Sequence, residues 1–339
     1  MAVTGAGGGL GSALVQQLAR RDDLGGLIGI DPVPVSTDGV TWRAGDVRDR
    51  LLAERLAGAT TVVHLATTYD VGLDGDVRRA VNVRGTAALL EAARTAGVVR
   101  VVLVTSAEVY GAVPGMPVPL PDGAPLRAEP DGGLLGDHVE VERLADHATR
   151  TGLELTVLRP ATLVGGALGA AYDGMMLRQL SSPRLLAVRG IEPLWQLCHT
   201  DDLVAALELA AVGAVSGPVT VGCDGYLPQS VVEELAGKRR LALPAGVAVS
   251  TAERLHRLGV TTGSPRELDH LQAPLVVGSD RLRAAGWAPV WTNEAALLAH
   301  LAGRTGDSRA AAYTAAGATV ALLGTAALVR QTRRRRRGL

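Results

Sequence analysis

Short apolar runs alternate with segments of helical spacing along the first half of the chain. The opening residues lead into SALVQQLAR, whose apolar positions have helical spacing, and GGLIGID and TVVHLAT are further apolar runs. Runs of this kind are typical of strands buried on both faces, and their alternation with helices is typical of a parallel sheet. The pattern therefore predicts an α/β fold with a doubly wound parallel sheet.

A glycine-rich loop separates the first apolar run from the first helical segment. The loop, TGAGGGLG at residues 4–11, places glycine at positions 5, 8 and 11. Glycines let the chain turn tightly and bring backbone amides close to a pyrophosphate, while the helix that follows adds partial positive charge. The loop favours phosphate binding, although a flexible glycine turn would have the same composition.

Asp31 ends the second apolar run, 20 residues after Gly11. A carboxylate at this position can accept both ribose hydroxyls of adenosine and repels a 2′-phosphate. The alternative is a turn-forming aspartate before Pro32. The spacing favours ribose binding, and therefore NAD over NADP as the cofactor.

Further motifs follow in order along the chain. They are Asp46-Val47, His64-Leu65-Ala66, NVRGT at 82–86, VVLVTSAEVYG at 101–111, LRPATLVGG at 158–166, CHTDDLVAALELA at 198–210 and SDRLRAAGWAP at 279–289. Together with the glycine loop they resemble the extended short-chain dehydrogenase/reductase family, the NAD-dependent nucleotide-sugar epimerases and dehydratases. The resemblance spans about residues 2–303.

The resemblance implies a Rossmann-type doubly wound parallel sheet with a small, discontinuous C-terminal substrate lobe. The implied NAD-binding domain covers residues 1–165, and residues 193–223 return to it. The substrate lobe is formed by 166–192 and 224–303. Residues 304–339 lie outside the resemblance and are expected to form an alanine-rich apolar helix and an arginine-rich tail.

The same motifs imply which residues contact NAD. The implied set is Gly5, Gly8, Gly9, Leu10, Gly11, Asp31, Asp46, Val47, Leu65, Ala66, Asn82, Thr105, His138 and Pro160.

The catalytic pair of the family is missing from this chain. Family members use a tyrosine for proton transfer and a lysine four residues later, which lowers the pKa of that tyrosine and holds the nicotinamide ribose. In the segment GLLGDHVEVERLAD, Leu134 and His138 stand in those positions, and Glu142 continues the same helix face. Lys238 is the only lysine, so no tyrosine in the chain is followed by a lysine four residues on.

Ser106, His138 and Tyr110 are the catalytic candidates that remain. Ser106 matches the family's catalytic serine, and its hydroxyl is expected to face the nicotinamide. His138 could contact the ribose or shuttle protons, or it could be a helix histidine without a role in the site. Tyr110 is the nearest phenol in the sequence, although in the family that tyrosine is usually structural or lines the substrate site. Glu108 is an alternative base.

Three functions are compatible with this pattern. The leading hypothesis is an NAD-dependent nucleotide-sugar epimerase/dehydratase-like oxidoreductase with a degenerate catalytic motif. The alternative is a non-catalytic NAD(H)-binding regulator or assembly protein, which the loss of tyrosine and lysine favours. The third is hydride reduction of a small carbonyl compound without a tyrosine.

Basic side chains of the lobe could contribute to substrate binding. Arg178, Arg184 and Arg189 could bind the phosphates of a nucleotide, or they could be solvated surface charges. His199 and Asp202 are expected to brace the junction between the lobe and the main domain.

Charge and composition limit the partners. Six of the 34 basic residues lie in 330–339, so the preceding residues are net acidic, which argues against nucleic-acid binding by the folded body. No basic leader is present, and Cys198 and Cys223 are too far apart for metal-ligand spacing, which together predict a cytoplasmic protein without a metal site. The uncharged segment at 310–329, followed by arginines, could attach to a membrane through residues 310–339, or it could be an alanine-rich helix with a disordered basic end. Homodimer formation is left open.

Overall fold

A seven-stranded parallel sheet forms the centre of the molecule. The computed structural model describes residues 1–166, 175–247, 250, 271 and 273–305. With strands numbered in chain order, the sheet contains β1 (Ala2–Thr4), β2 (Leu27–Asp31), β3 (Val40–Ala44), β4 (Thr61–His64), β5 (Arg100–Val104), β6 (Glu154–Pro160) and β11 (Gly217–Val221). Their order is β11-β6-β5-β4-β1-β2-β3, and all six pairings are parallel. The order in which the strands follow one another reverses beside β1, as it does in a Rossmann-type sheet, and this confirms the predicted fold class.

Helices cover both faces of the sheet. They are α1 (Gly9–Leu18), α2 (Leu52–Arg55), α3 (Gly75–Arg79), α4 (Gly85–Thr95), α5 (Leu134–Arg150), α6 (Met175–Gln179), α7 (Thr200–Ala211), α8 (Gln229–Ala236), α9 (Asp280–Ala284) and α10 (Asn293–Thr305). A π-helical segment, Ala80–Arg84, joins α3 to α4, and a 3₁₀ turn, Ala107–Tyr110, follows β5. One apolar core lies under α1 and α7, and a second lies under α2, α4 and α5.

The central strands are apolar on both sides because each face of the sheet is covered. Residues Val101 to Val104 of β5 are all fully or almost fully buried, and alternate residues belong to the two different cores. The sequence of such a strand is a continuous apolar run and does not alternate between apolar and polar residues. The sequence pattern of this half therefore follows directly from the layer arrangement.

A smaller lobe with its own core packs at one end of the sheet. Its strands are β7 (Thr162–Val164), β8 (Arg184–Val188), β9 (Leu194–Trp195), β10 (Leu197–His199), β12 (Leu227–Pro228) and β13 (Arg239–Leu243), which pair in twos. A third apolar core joins them to α6, α8 and α10. The predicted small C-terminal lobe is present, and its division at particular residues stays a prediction.

One part of the predicted lobe packs against the main sheet instead. Val277 pairs with Leu120 by a β-bridge, and Val277, Leu282 and Trp287 belong to the core under α1 and α7. Asp202 holds this segment, because its carboxylate accepts hydrogen bonds from the amides of Val290 and Trp291. The interpretation of Asp202 as a brace at the junction is supported by these contacts.

No helix among the described residues is long and apolar enough to cross a membrane. The segment at 310–339, for which we expect membrane contact, lies outside the described residues.

Candidate active site

The glycine loop is packed against the end of β4 so closely that side chains have no room. Gly5 has a φ of 70°, and a Cβ there would lie 2.6 Å from the amide nitrogen of Ala66. A Cβ at Gly11 would overlap the carbonyl oxygen of Gly5. No side chain of the described residues caps α1, so its first amides are available to an anion.

Asp31 stands beside this loop with its carboxylate held in place. One oxygen accepts the amide of Gly7 at 3.0 Å, and the other accepts the amide of Val33 at 3.0 Å. Each carboxylate oxygen retains a further lone pair, so the group can still accept the two hydroxyls of a ribose. The loop and the carboxylate therefore form one continuous edge.

A cleft with an empty volume of about 610 Å³ opens along that edge. The predicted cofactor residues that line it are Gly5, Gly8, Asp31, Asp46, Val47, Leu65 and Ala66. Ile30, Pro32, Gly45, Arg48, Thr67 and Val81 also line it and were not among the predicted residues. Each of these additional residues is next in sequence to a predicted one, which is the signal that could have identified them.

Asp46 does not present a free carboxylate to the cleft. Arg48 donates to both of its oxygens, at 2.9 and 2.5 Å, and these hydrogen bonds lower the pKa of Asp46 to about 2. The pair is partly exposed, so solvent weakens its contribution to stability. Asp46 therefore borders the cleft as a permanently ionised, paired group.

Several residues of the motifs that carry the family resemblance hold the cleft together instead of lining it. His64 lies between the hydroxyls of Thr4, at 2.8 Å, and Thr86, at 3.2 Å, and burial lowers its pKa to about 4. The Asn82 amide accepts from the amide of Thr68 and donates to its carbonyl oxygen. The side chain of Asn82 thus fixes the loop after β4, and its expected contact with NAD stays a prediction.

Thr105 and Tyr110 belong to a buried polar network between β5, β6 and α5. The Thr105 hydroxyl donates to Glu142 at 2.7 Å, and Arg159 donates to both Glu142 oxygens at 2.8 and 2.7 Å. Arg159 also donates to the Tyr110 hydroxyl at 2.9 Å, and that hydroxyl donates to the carbonyl oxygen of Asp122 at 2.7 Å. Burial raises the pKa of Tyr110. The Tyr110 phenol is therefore engaged as both donor and acceptor inside the protein, which gives it a structural position.

His138 is buried on α5, and its Nδ1 has no hydrogen-bond partner among the described residues. Burial, with the charge of Arg78 as a second cause, lowers the pKa of His138 to about 4. The preceding Asp137 accepts from Arg78 at 2.8 Å and from Asn82 at 3.2 Å. His138 is therefore neutral near pH 7 and cannot replace the positive charge of a lysine.

The ring of Tyr69 approaches His138 edge to face, with 6.2 Å between the ring centroids. Leu134, one helical turn before His138, is partly buried. The start of α5 is set by Asp131, whose carboxylate accepts the amides of Gly133 and Gly136. A Cβ at Gly136 would overlap the backbone of Asp131, so this close approach requires glycine.

Ser106 and Glu108 begin the 3₁₀ turn at the end of β5. The Ser106 hydroxyl accepts the amide of Glu108 at 3.2 Å. Glu108 is partly buried, and its carboxyl group lies deep enough for burial to raise its pKa, with the charge of Arg178 acting against that rise. From the sequence Glu108 is only an alternative base, and the linear motif does not indicate where its carboxyl lies.

Glu108 lines a second cavity, with an empty volume of about 430 Å³, between the sheet and the small lobe. Its apolar lining is Ala107, Ala161, Met176, Leu194, Trp195 and Leu275, and its polar lining is Glu108, Thr162 and Gln196. Ala161 and Thr162 directly follow Pro160, which ends β6 in a buried position. The cavity therefore opens at the carboxyl ends of β5 and β6, where ligands of open α/β sheets bind.

The three arginines of the lobe differ in position. Arg178 is partly buried and close enough to Glu108 for its charge to act on that carboxyl. Arg184 and Arg189 are exposed, and neither lines the described part of the cavity. His199 stacks on Trp291 with 3.8 Å between the ring centroids, which supports its expected role at the lobe junction.

The cleft fits a dinucleotide on structural grounds. A loop in which a Cβ would strike backbone, uncapped helix amides and an anchored carboxylate are the features that a pyrophosphate and an adenosine ribose require. The cleft therefore has the features that NAD requires, and the contacts of individual residues with NAD stay a prediction.

Comparison with known proteins agrees with this geometry. The chain is 30% identical over 318 residues to an uncharacterised protein of Mycobacterium tuberculosis, covering 89% of this chain and 83% of that protein. It is 34% identical over 309 residues to a 3-diazoavenalumate denitrifying reductase of a Streptomyces species, covering 85% of this chain and 95% of that protein. The solved structure of MoeE5 in complex with UDP-glucose and NAD shares the fold, with a TM-score of 0.66 and 22% identity over 91% of this chain and 99% of that one.

A family model matches a larger part of the chain than any single motif does. Residues 1–221 match the NAD dependent epimerase/dehydratase family. This match covers the glycine loop, the cleft, α5 and every strand of the central sheet. The chain therefore belongs to the NAD dependent epimerase/dehydratase family, and NAD is its cofactor.

Proposed function

We propose that this protein is an NAD-dependent oxidoreductase that acts at a carbon bearing oxygen, with Ser106 and Glu108 as the groups that meet that oxygen. The observation that carries the proposal is the Glu108 carboxyl, which lines a cavity at the ends of β5 and β6 two residues after Ser106. A titratable group with a perturbed pKa in such a cavity is typical of an active site.

The residues of the cleft hold NAD, which when bound supplies hydride exchange at its nicotinamide ring. The glycine-loop amides and the start of α1 bind the pyrophosphate, and Asp31 binds the adenosine ribose. His138 contacts the nicotinamide ribose through Nδ1. The support for this contact is that Nδ1 is buried and has no hydrogen-bond partner among the described residues, since an unsatisfied buried polar atom is costly unless a ligand satisfies it.

Glu108 carries the proton that the missing tyrosine would have carried. Because its pKa is raised, the carboxyl keeps its proton at a higher pH than a surface glutamate does. In reduction it gives this proton to the substrate oxygen, and in oxidation it accepts a proton from the substrate hydroxyl. Ser106 donates a hydrogen bond to the same oxygen.

Two substrate classes are compatible with this chemistry. A nucleotide sugar is the first, because the family acts in epimerase and dehydratase reactions and MoeE5 binds UDP-glucose. In that case a hydride is removed from and returned to one sugar carbon. A small carbonyl compound is the second, favoured by the apolar lining of the cavity and by the reductase among the relatives.

The experiment compares Glu108→Gln with wild type under single-turnover conditions. We expect Glu108→Gln to lose at least 100-fold in the rate of cofactor absorbance change and to keep the Kd for NAD within twofold. Glu234→Gln, at an exposed position of the lobe, is the matched control and should behave as wild type.

Mass spectrometry of the compounds that copurify with the protein identifies the substrates to test in that assay. If no tested or copurified compound changes the absorbance of bound cofactor, the oxidoreductase proposal fails. A non-catalytic NAD(H)-binding regulator would then account for the cleft and for the absent tyrosine and lysine.

A further inference from the structure

The small lobe carries a run of exposed apolar residues in and after β13. Residues 241–247 have the sequence LALPAGV, and all of them except Leu243 are exposed. The two largest exposed side chains of the run, Leu241 and Val247, are 42% and 49% exposed. Scattered apolar side chains are common on protein surfaces, whereas contiguous ones mark a site where a protein or a membrane binds. The run is therefore a candidate docking surface.

The exposure follows from the position of β13 in the lobe. Among the described residues, β13 pairs with β8 alone, in a sheet of two strands. Leu185 and Val188 of β8 are buried in the core of the lobe. In β13, the consecutive residues Leu241 and Ala242 are both exposed, although neighbouring side chains of a strand point to opposite faces. Both faces of β13 therefore reach the surface at this point.

Basic residues border the apolar run at both ends. The parallel pairing of β13 with β8 places Arg239 beside Arg184, and Lys238 precedes Arg239. At the other end, the amide of Arg189 donates to the carbonyl oxygen of Leu243 at 2.8 Å. Arg184, Arg189 and Arg239 are all exposed. Cations and apolar side chains therefore share one part of the lobe surface.

The three exposed arginines have no acidic partner among the described residues. Arg184, Arg189 and Arg239 form no ion pair in the part of the chain that the structure describes, whereas Arg240, the next residue of β13, pairs with two glutamates. Like charges at paired positions of a sheet repel, and Arg184 and Arg239 occupy such positions. An anion bound at this surface would relieve that repulsion.

An anionic lipid bilayer matches both features of this surface. Guanidinium groups bind lipid phosphates, and apolar side chains enter the boundary between headgroups and acyl chains. A free phosphate would satisfy the cations and leave the apolar run in water. Residues 306–339, with their uncharged segment and six arginines, continue from α10. Ala295 and Leu297 of α10 belong to the same apolar core as Leu185 and Val188 of β8, so both parts of the chain point to the same partner.

We propose that the small lobe docks on an anionic membrane surface through residues 241–247, with Arg184, Arg189 and Arg239 bound to lipid phosphates. The apolar run lies at the depth of the headgroups, which is a peripheral attachment and not a span. The lobe then adds a second point of contact to the one expected for residues 310–339. This inference does not depend on the proposed oxidoreductase activity.

Fluorescence at single positions of the full chain is the first test. Leu241→Cys is labelled with the environment-sensitive dye NBD, and Val99→Cys, exposed beside β5 in the main domain, is the matched control. Cys198 and Cys223 are buried, and burial raises the pKa of both thiols, so they react slowly with the dye. With vesicles of phosphatidylglycerol and phosphatidylcholine, we expect a blue shift of the emission at position 241 and none at position 99.

Neutralisation of the lobe cations is the second test. Arg184→Gln combined with Arg239→Gln should lower the partition coefficient of the full chain onto these vesicles about tenfold, measured by cosedimentation. Arg20→Gln combined with Arg50→Gln removes the same charge from exposed arginines of the main domain, and should lower the partition coefficient less than about twofold. Both double variants should keep the melting temperature of wild type, because the changed side chains are exposed.

The outcomes separate the lobe from the other means of binding. A vesicle-bound chain with unshifted emission at position 241 would overturn the proposal, because residues 306–339 alone would then account for binding. Equal partition of the two double variants would overturn the role of the lobe cations, and an equal blue shift with phosphatidylcholine alone would exclude the anionic lipid. A blue shift that grows with protein concentration in the absence of vesicles would assign the surface to a second copy of the chain instead.

Discussion

Burial gives two side chains of this site a chemistry that they would not have at a protein surface. The His138 imidazole is neutral at physiological pH, because burial and Arg78 disfavour its cation. Burial raises the pKa of the Glu108 carboxyl, which favours its neutral, protonated form. Both shifts disfavour the charged form, so the site is prepared for hydrogen bonding and proton transfer more than for charge attraction.

The neutral His138 makes the cofactor-free protein sensitive to acid. An unfolded histidine has a pKa of 6.5 and the folded residue one of about 4, so the unfolded state binds more protons between these values. Stability is therefore full above pH 6.5 and falls as the pH drops toward 4, by up to about 3 kcal/mol for this group. In His138→Gln, we expect this part of the loss of stability at acid pH to disappear.

Chemical denaturation at pH 7.5, 6 and 5 measures this difference. His64, whose pKa is also about 4, remains in both proteins and contributes the same slope. His147→Gln, at an exposed position of the same helix, is the control and should follow wild type. If the free energy of unfolding fell equally at acid pH in wild type and in His138→Gln, the assignment of a buried neutral imidazole would be contradicted.

Gly11 permits the glycine loop to cross the first helix at close range. Gly11→Ala places a Cβ against the carbonyl oxygen of Gly5, and the atoms that the Cβ meets are backbone atoms, which cannot move aside as a flexible side chain can. We expect the Kd for NAD to rise at least 100-fold, or the melting temperature to fall, by calorimetry and thermal denaturation. In Gly25→Ala no described atom lies within 4 Å of the new Cβ, so this control should match wild type.

Asp31 should decide between the two nicotinamide cofactors. Its carboxylate stands where a ribose 2′-oxygen is expected, and a 2′-phosphate would meet its negative charge. Asp31→Asn should weaken NAD binding about tenfold and reduce the preference for NAD over NADP at least tenfold, by parallel titrations. An unchanged ratio of the two Kd values would remove the role assigned to this residue.

At the scale of elements, the first half of α5 is fixed by two buried ion pairs. Arg78 pairs with Asp137 near the start of the helix, and Arg159 of β6 pairs with Glu142 five residues further on. A buried pair is a modest source of stability, but removal of one partner leaves an uncompensated charge. The helix that carries His138 is thereby held to the sheet and to α3 in one orientation.

Tyr110→Phe tests whether the phenol is structural. The change removes a buried hydroxyl that links Arg159 to the Asp122 carbonyl oxygen. We expect a loss of about 2 kcal/mol in the free energy of unfolding and less than a threefold change in turnover. Tyr226→Phe, at an exposed position, should change neither. A 100-fold loss of turnover at unchanged stability would instead make Tyr110 the catalytic acid.

The sequence predicted the elements well and the state of their side chains less well. Buried parallel strands give continuous apolar runs, and the glycine loop has few other conformations, so the sheet and the cleft could be read from local pattern. The pairing of Glu142 with Arg159, or of Asn82 with Asp137, joins residues on different elements. Such pairs leave no periodic signal, and so the engagement of Tyr110 and the position of Glu108 could not be predicted.

At the scale of the whole molecule, the segment after Val276 binds the small lobe to the sheet. Trp287 and Trp291 dock on α7 through Asp202, and Asn293 donates to the Asp224 carbonyl oxygen and accepts the Leu197 amide. The cavity beside Glu108 lies between the two parts that this segment joins. Its shape therefore depends on contacts far from its lining.

Membrane contact through residues 310–339 remains a prediction at this scale. We expect the uncharged segment to attach shallowly to the bilayer and the six arginines that follow it to bind anionic headgroups. We expect the full chain to cosediment with vesicles of phosphatidylglycerol and phosphatidylcholine, and to do so less at high salt. A chain ending at residue 305, and vesicles of phosphatidylcholine alone, are the controls; equal cosedimentation of both chains would contradict the prediction.

The contacts of Asp122 also determine when this part of the fold can form during synthesis. Its carboxylate accepts the amides of Thr220 and Arg281, and the amide of Ser279 donates to the Thr220 hydroxyl. At ribosomal rates of about 5–20 residues per second, residue 281 follows residue 122 by on the order of ten seconds. During that interval the nascent chain contains β5 and gains β6, but the contact of Asp122 with Arg281 cannot form. Contacts so distant in sequence also slow refolding of the released chain. A chaperone that shields apolar surface until α9 has emerged should therefore raise the yield of folded protein.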